Sequence, residues 1–592
     1  MQTPALYDFS EKLMKKYWKY ISPYRSAFVL APLLMIVEVL GDVLMPKFMS
    51  MIINVGVSNH DTGYILKMGA VMFLTAVIMA VSGILAAWFA AKASIGFTAD
   101  LRRDLFAKIQ QFSFHNIDEF STGSLVTRLT NDVQQLQQVL MMSLRMLLRA
   151  PGMLIGALIM AFMMNARLAL VVLTVIPVLA GLISVIIRLS FPRFTLMQKK
   201  IDSLNNLVQE NLTNIRVIKS FVREEHETER FSEASTDLMK HSLHAMKLVI
   251  AMMPMMMFMM NATTIAVVWY GGNMIIGGEM PVGDLTAFTT YIVQILLSLM
   301  FMSMILIQMA RALASLRRIN EILNTAVDLT DEAATRRDAE VVHGEIEFSH
   351  VSFAYSDDSE LVLSDISFTA RPGETIGITG ATGSGKTSLV QLIPRLYDVT
   401  GGEIRIDGID VRDYSLDHLR KSVSMVLQKN ELFSGTIAEN LRWGDDEATE
   451  EEIVRAAAQA QADGFVRGFE DGYETDMGQG GVNVSGGQKQ RLCIARAILA
   501  KPKILILDDS TSAVDTATEQ KIREAFYTSL KDTTKIIISQ RLSSIEDADR
   551  ILVLDDGKII GEGSHDELIR SCEKYREIWQ TQSGKQAKEV QA

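Results

Sequence analysis

Residues 374–393, ETIGITGATGSGKTSLVQLI, read as a short apolar strand, a glycine-rich turn and the opening of a helix. In such a turn Gly380, Gly383 and Gly385 let backbone N–H groups wrap phosphate oxygens. Lys386 then reaches the outer phosphates and Thr387 offers a hydroxyl to Mg²⁺. Thr382, Ser384 and Ser388 complete the same cradle. Further on, the apolar run KILIL (503–507) ends in Asp508, a strand-end carboxylate suited to holding Mg²⁺ through water. These features predict an α/β P-loop domain that binds ATP with Mg²⁺.

A second anion site follows in NVSGGQKQR (483–491). Ser485, Gly486, Gly487 and Gln488 open a helix, where free N–H groups and the helix dipole favour negative charge. Because the chain's own phosphates already have a loop, this site is expected to serve a nucleotide held by a partner.

The first half of the chain has a different character. The protein has 592 residues, is 48% hydrophobic and contains 34 methionines; its mean hydropathy is +0.19, high for a soluble protein. Apolar stretches near 26–52, 66–94, 140–164, 167–190, 248–277 and 285–312 each meet the roughly 20 residues that a bilayer core requires. Six membrane-spanning helices are therefore predicted within 24–320, followed by a linker over 321–343 and a soluble domain over 344–592. Residues 1–23 carry Lys15, Lys16 and Lys19 among Tyr17, Trp18 and Tyr20, the composition of an amphipathic helix on the cytoplasmic face. Basic residues crowd the long connections 95–135 and 191–247, so both termini are expected in the cytoplasm. The net charge of −11 argues against a nucleic-acid partner, and the two cysteines, Cys493 and Cys572, imply no disulfide framework.

With these motifs in order, the chain resembles an ATP-binding cassette (ABC) exporter of the half-transporter kind, one six-helix membrane domain fused to one nucleotide-binding domain. The resemblance runs along nearly the whole chain. It implies that Tyr355 in VSFAY stacks on adenine, that Gln428 contacts Mg²⁺ and relays its state, and that STSAVD (510–515) crosses to the partner. It also implies short coupling helices near 115–122 and 212–219, the second reaching the opposite subunit.

Two positions depart from the family pattern. Asp509 stands where the family has Glu, and Gln540 where it has His. Asp is one methylene shorter, roughly 1–1.5 Å at the carboxylate, and a misplacement of that order can cost about 10²-fold in rate. Gln540 can hydrogen-bond a phosphate but cannot carry a proton. TDMGQGG (475–481) also lacks the charged pair usual before the signature. The resemblance is therefore to the degenerate subunit of heterodimeric bacterial multidrug exporters, in the plasma membrane, whose partner chain supplies Glu and His. Two alternatives remain open: a slow homodimeric exporter of drug or lipid, and a regulatory subunit that binds ATP without pumping.

Information on the transported compound is sparse. Glu38 and Asp42 lie four apart on one face of the first membrane helix, either drawing cationic amphipathic compounds or hydrogen-bonding neighbouring helices. The methionines of 252–260, with Phe258 and Asn261, suit either an adaptable apolar pocket or lipid contact. Arg145 and Arg149 are expected to snorkel to the cytoplasmic interface.

Overall fold

The computed structural model describes residues 16–356, 359–510 and 514–589. Internal packing divides the chain into two units. One runs to Ile109 and resumes over Gly123–Asn324; the other comprises Gln110–Thr122 and the chain from Thr325 onward.

The first unit is helical throughout. Its main helices are α1 (Arg25–Met51) and α2 (Thr62–Gln110), separated in sequence by a short helix of the other unit, α3 (Phe114–Glu119), from α4 (Val133–Met164) and α5 (Ala166–Thr213). After a short α6 (Ile215–Ser220) come α7 (Glu224–Ile276) and α8 (Val282–Asn324). Among the described residues six helical segments are long and apolar enough to cross a membrane. With 49, 48 and 53 residues, α2, α5 and α7 are each more than twice the ~20 residues that a bilayer core takes up. Prolines lie within α1, α4, α5 and α7, whereas α2 and α8 contain none. Small residues let the helices approach: Ala86, Ala90 and Ala93 of α2 are fully buried. At one end of the bundle Asp132, itself buried, accepts from Ser315 at 2.8 Å and from Arg318 Nε at 2.7 Å, tying the start of α4 to α8.

Of the expected amphipathic lead-in, residues 1–15 lie outside the described residues. Over 16–21 the chain is helical, and Tyr17 and Tyr20 are buried against Phe97 of α2 while Trp18 is exposed. Lys19 pairs with Asp104 at 2.8 Å. The aromatic face thus packs on the protein's own helices, and the indole alone projects from it.

In the second unit the short helix α3 begins with a reciprocal cap, Ser113 Oγ accepting from Asn116 N–H while Asn116 Oδ1 accepts from Ser113 N–H. This helix lies within the stretch 24–320 and in the segment read as a coupling helix, and it packs with the nucleotide-binding unit. Phe114 meets the edge of Tyr397, and Tyr397 donates its hydroxyl to Asp118 at 2.6 Å. The other expected coupling segment, 212–219, is α6, which starts at Ile215 because Asn214 leaves the helical conformation (φ −102°, ψ 20°).

The rest of this unit holds two sheets. Strands β1 (Ile346–Phe353), β2 (Leu363–Ala370), β4 (Gly401–Ile406) and β5 (Ile409–Asp410) form an antiparallel sheet in the order β2-β1-β4-β5. The other strands, β3 (Thr375–Gly380), β6 (Val423–Val426), β7 (Ile504–Asp508), β8 (Thr534–Ile538), β9 (Arg550–Asp555) and β10 (Lys558–Gly563), order as β10-β9-β3-β8-β7-β6. All neighbours there are parallel except the β9-β10 hairpin. Parallel sheets are covered on both faces, and β7 is accordingly buried at every position. In register, Ile378 pairs with Ile538, and Ile538 with Asp508. The carboxyl ends of β3, β8 and β7 therefore finish level and side by side, the place where open α/β sheets hold ligands.

Candidate nucleotide site

Three loops leave those strand ends and, with the turn after β6, enclose a cavity of about 340 Å³. Thr382, Gly383, Gly385, Lys386, Thr387 and Ser388 line it from the loop after β3; Asp508 and Asp509 from β7; Gln540 from the turn after β8; and Gln428 from the turn after β6. The glycine requirement is geometric. Gly380 has φ +149°, and a Cβ there would sit 2.1 Å from the Leu554 carbonyl oxygen; Gly385 has φ +91° and would strike Leu363 at 2.7 Å. Gly383 adopts φ +85° beside open space. The loop is thus held in a shape that only glycine tolerates, with its backbone facing the cavity.

The polar groups inside are partly paired with one another. Lys386 heads α9 (Lys386–Gln391), is buried, and donates its ammonium to the Ala381 and Gly380 carbonyls at 2.7 and 3.1 Å. Burial lowers its pKa, against the opposing pull of Asp508 and Asp509. Thr387 Oγ1 donates to Asp508 Oδ2 at 2.9 Å. Asp508 is only 2% exposed, and burial holds its carboxyl above the ordinary range, with the charge of Asp509 adding to the shift. Burial also raises Asp509, with Arg541 and Lys386 working against it. Asp509 carries a left-handed backbone, φ +47°, and donates its N–H to Ile538 O at 3.0 Å. Asp is among the few non-glycine residues that accept this conformation readily. A hydroxyl and a carboxylate within hydrogen-bond distance, facing a cradle of backbone amides, are the donor set that a phosphate-bound divalent cation takes up. Among the described residues no group of three acidic, His or Cys side chains offers an all-protein metal cage, and a cation shared with phosphates needs none.

Tyr355 lies beside this cavity. Its hydroxyl is 2.8 Å from Ser388 Oγ, and its ring stands edge-on to Phe353 and to Tyr397, with centroids 4.9 and 5.3 Å apart. Tyr397 is the residue that also grips Asp118 of α3, so one side chain touches both the Tyr355 ring and α3. Burial and the Asp118 carboxylate both push the Tyr397 phenol upward. Its sequence context, RLYDV, carries no motif that marks it.

The signature residues lie apart from this cavity. Ser485 caps α10 (Gly486–Leu499), its Oγ accepting from Gln488 N–H while Gln488 Oε1 accepts from Ser485 N–H at 2.8 Å. That reciprocal cap leaves the N–H groups of Gly486 and Gly487, which have no partner within the helix, at the exposed end. Lys489 donates to Gly480 O at 2.7 Å, fastening the preceding glycine turn to the helix. Residues 511–513 of STSAVD lie outside the described residues. Elsewhere in this unit a groove of about 820 Å³ is lined by Leu427, Phe433, Trp443 and Arg496 among others. Phe433 and Trp443 stack there at 4.0 Å, both exposed.

In the membrane unit the reading of Arg149 needs correction. It does not reach away to an interface: its guanidinium pairs with Glu38 and, at 3.0 Å, with Asp42. A planar donor between two carboxylates pairs with both at once, a geometry suited to a guanidinium. The Asp42 carbonyl also accepts from Gln294 at 2.9 Å. The methionine cluster divides in two, Met253, Met255, Met257 and Phe258 being exposed while Met259 and Met260 pack on the helical core.

Comparison with known proteins agrees with this architecture. Residues 28–299 match the family model for the ABC transporter transmembrane region, and residues 363–512 the family model for ABC transporter. An uncharacterized ABC transporter ATP-binding protein of Bacillus subtilis, YfiB, is 40% identical over 97% of this chain and 100% of its own length. YgaD of the same organism, a putative multidrug export ATP-binding/permease protein, is 32% identical over 96% and 99%. A bacterial Atm1-family ABC exporter solved with ATP bound superposes with a TM-score of 0.77 at 25% identity, covering 94% of this chain and 98% of that one. A membrane unit of six apolar helices, a phosphate loop at the ends of parallel strands and relatives matched end to end together make this chain an ABC half-transporter of the exporter type, its membrane domain fused to an ATP-binding cassette.

Proposed function

We propose that the chain is the hydrolysis-impaired half of a heterodimeric, ATP-driven exporter of amphipathic compounds, drugs among them, in a bacterial plasma membrane. Its termini and nucleotide-binding unit would face the cytoplasm. One observation carries this reading: Asp509 and Gln540 line the same cavity as Lys386, Thr387 and Asp508. The two departures from the family pattern therefore fall where an attacking water would be activated.

When bound, ATP supplies the γ-phosphate whose transfer to water drives transport. Lys386 and the loop amides would hold the phosphates, Tyr355 would stack on the adenine, and Thr387, Asp508 and Gln428 would hold Mg²⁺. Asp509 keeps a carboxylate in the cavity, set back by one methylene from the family's reach. Gln540 steadies the outer phosphate without exchanging a proton. Ser485, Gly486, Gly487 and Gln488 complete the nucleotide site of the partner, whose Glu and His make that site competent. The groove beside Phe433 and Trp443 receives the partner's second coupling helix; this chain's own α6 leaves Val217 exposed, with Phe221 and Val222 just beyond it, the apolar surface such docking would bury.

For the transported compound, Glu38 and Asp42 against a single Arg149 leave one excess negative charge, which supports a cationic preference. Likeness to a putative multidrug exporter supports drugs among the compounds moved. A slow homodimer is the second reading, favoured by the carboxylate that Asp509 retains.

The deciding experiment is ATPase activity in nanodiscs, for this chain alone and co-purified with a half-transporter carrying Glu and His. Near-zero turnover alone and robust turnover in the pair is the expected result. Substantial turnover alone would replace the heterodimer with the homodimer.

A further inference from the structure

The last described helix, α11 (Glu573–Glu589), lies against the turn that carries Gln540. Tyr575 of this helix is fully buried, and Ile578 and Trp579 pack on the cluster containing Leu542, Ile545, Ile551 and Val553. His565 fixes the helix further, its Nδ1 lying 2.7 Å from the Tyr575 hydroxyl. The spacing 575, 578, 579, 582 is one helical face, so the next side chain on that face is Gln582.

Gln582 makes two hydrogen bonds to the main chain of the turn. Its Oε1 accepts from Leu542 N–H at 2.9 Å, and its Nε2 donates to the Gln540 carbonyl at 2.8 Å. Only one orientation of the amide satisfies both, which fixes which atom is oxygen and which nitrogen. Within the same turn Arg541 N–H donates to Ser539 Oγ at 3.0 Å, and Ser539 N–H to Ile378 O at 3.1 Å. The sheet thus secures the turn before Gln540, and the amide of Gln582 holds the turn from Gln540 to Leu542. Gln540 has a long, rotatable side chain whose reach into the cavity depends on where its backbone is held.

We infer that Gln582 is a positioning residue for Gln540, and that through it the C-terminal helix sets how well the site distinguishes ATP from ADP. This rests on the nucleotide-site reading above. Loss of the clamp would act at the γ-phosphate, the only group that differs between the two nucleotides, and leave the rest of the cradle intact.

The test uses the full chain in nanodiscs, with binding of Mg²⁺-loaded ADP and of a non-hydrolysable ATP analogue measured for wild type, Gln582→Met and Gln582→Glu. Met keeps the shape and loses both bonds; Glu keeps the acceptor and loses the donor. The expected result is a loss of analogue affinity of about five- to tenfold in Gln582→Met, the net worth of one hydrogen bond or somewhat more. Gln582→Glu falls between it and wild type and ADP affinity stays unchanged, while the melting temperature falls modestly, as the loss of hydrogen bonds to a buried turn requires. Gln540→Ala should lose the same discrimination, and Gln540→Ala/Gln582→Met should lose no more than Gln540→Ala alone, because the two residues act in series. Equal losses for both nucleotides, or additive effects in the double variant, would overturn the positioning role and reduce Gln582 to a packing residue. Wild type binding neither nucleotide would instead defeat the nucleotide-site reading, and with it this inference.

Discussion

Two helix N-termini in the nucleotide-binding unit, both read as anion sites in the proposed function, differ in almost every physical respect. The one at Lys386 is internal: the lysine and Asp508 are buried, the loop is forced by positive-φ glycines, and the strand ends of β3, β7 and β8 surround it. The one at Ser485 is external, a capped but exposed helix start with two free glycine amides. The first has a low-dielectric enclosure of its own and strengthens every charge contact made inside it. The second has donors without an enclosure, so it gains strength only when another surface covers it. The chain therefore holds one helix start enclosed within the fold and one left open at its surface; on the proposed reading they are two complementary half-sites.

The largest expected effect tests the enclosed half. Asp509→Glu together with Gln540→His, in this chain purified alone, should raise ATP turnover by up to about 10²-fold, the scale at which a misplaced catalytic group is penalised. An unchanged rate would mean that the site's weakness lies elsewhere, with Gln479 and Gly480 of the turn before the signature the next residues to restore. The exposed half comes next. Ser485→Ala in the heterodimer should lower turnover by about tenfold or more, a hydrogen bond to a charged group being worth ~1.5–3 kcal/mol. The same change removes a helix cap at a cost of ~1 kcal/mol, so turnover should fall further than the melting temperature of the isolated chain accounts for. If both fall in proportion, the exposed half is a structural cap and nothing more.

Lys386→Ala should abolish most nucleotide binding by this chain yet only partly reduce heterodimer turnover, which photolabelling of each chain and a phosphate-release assay would separate. The smallest effect is with pH. Burial raises the carboxyls of Asp508 and Asp509, so in the window above pH 3.8 the folded chain holds more protons than the unfolded one. The contribution of these two groups to stability therefore grows as pH falls through their folded values. Protonation at the same time removes the ligand for Mg²⁺, so nucleotide affinity should fall over the window in which this stabilisation appears. Asp509→Asn should flatten its share of the stability change seen in acid melts of the nucleotide-free protein.

What could be read from the sequence and what could not divides along the same physical line. The phosphate loop, the strand carboxylate and the signature are contiguous words, each formed by neighbours in the chain, and the parallel register brings the first two together. The six spans were legible because bilayer thickness imposes a length on any helix that crosses it. Tyr397, Arg149 and Gln582 were not legible as functional residues. Their partners stand 279, 111 and 42 positions away, and nothing in RLYDV, LLRAP or WQTQS marks a side chain whose role is set by tertiary packing. Arg149 shows the cost of reading one element at a time: judged from α4 alone it is a stranded cation, and only α1 supplies its two carboxylates. The helix α3 was legible as a coupling segment, but the residue that receives it, Tyr397, was not.

The prolines of the long helices bear on how force passes through the membrane unit. An uninterrupted helix transmits a tilt along its length as a rigid rod, and at 1.5 Å per residue a helix of 49 residues is roughly 70 Å long, so that a tilt of a few degrees becomes a displacement of several ångströms at its far end. A proline removes one rung of the hydrogen-bond ladder and makes the rod compliant at that point. Because α2 and α8 contain none while α1, α4, α5 and α7 each contain at least one, the bundle is a mixture of stiff struts and jointed ones. The chain thus distributes its rungs unevenly: the full hydrogen-bond ladder runs the length of two helices, and four give up at least one rung each.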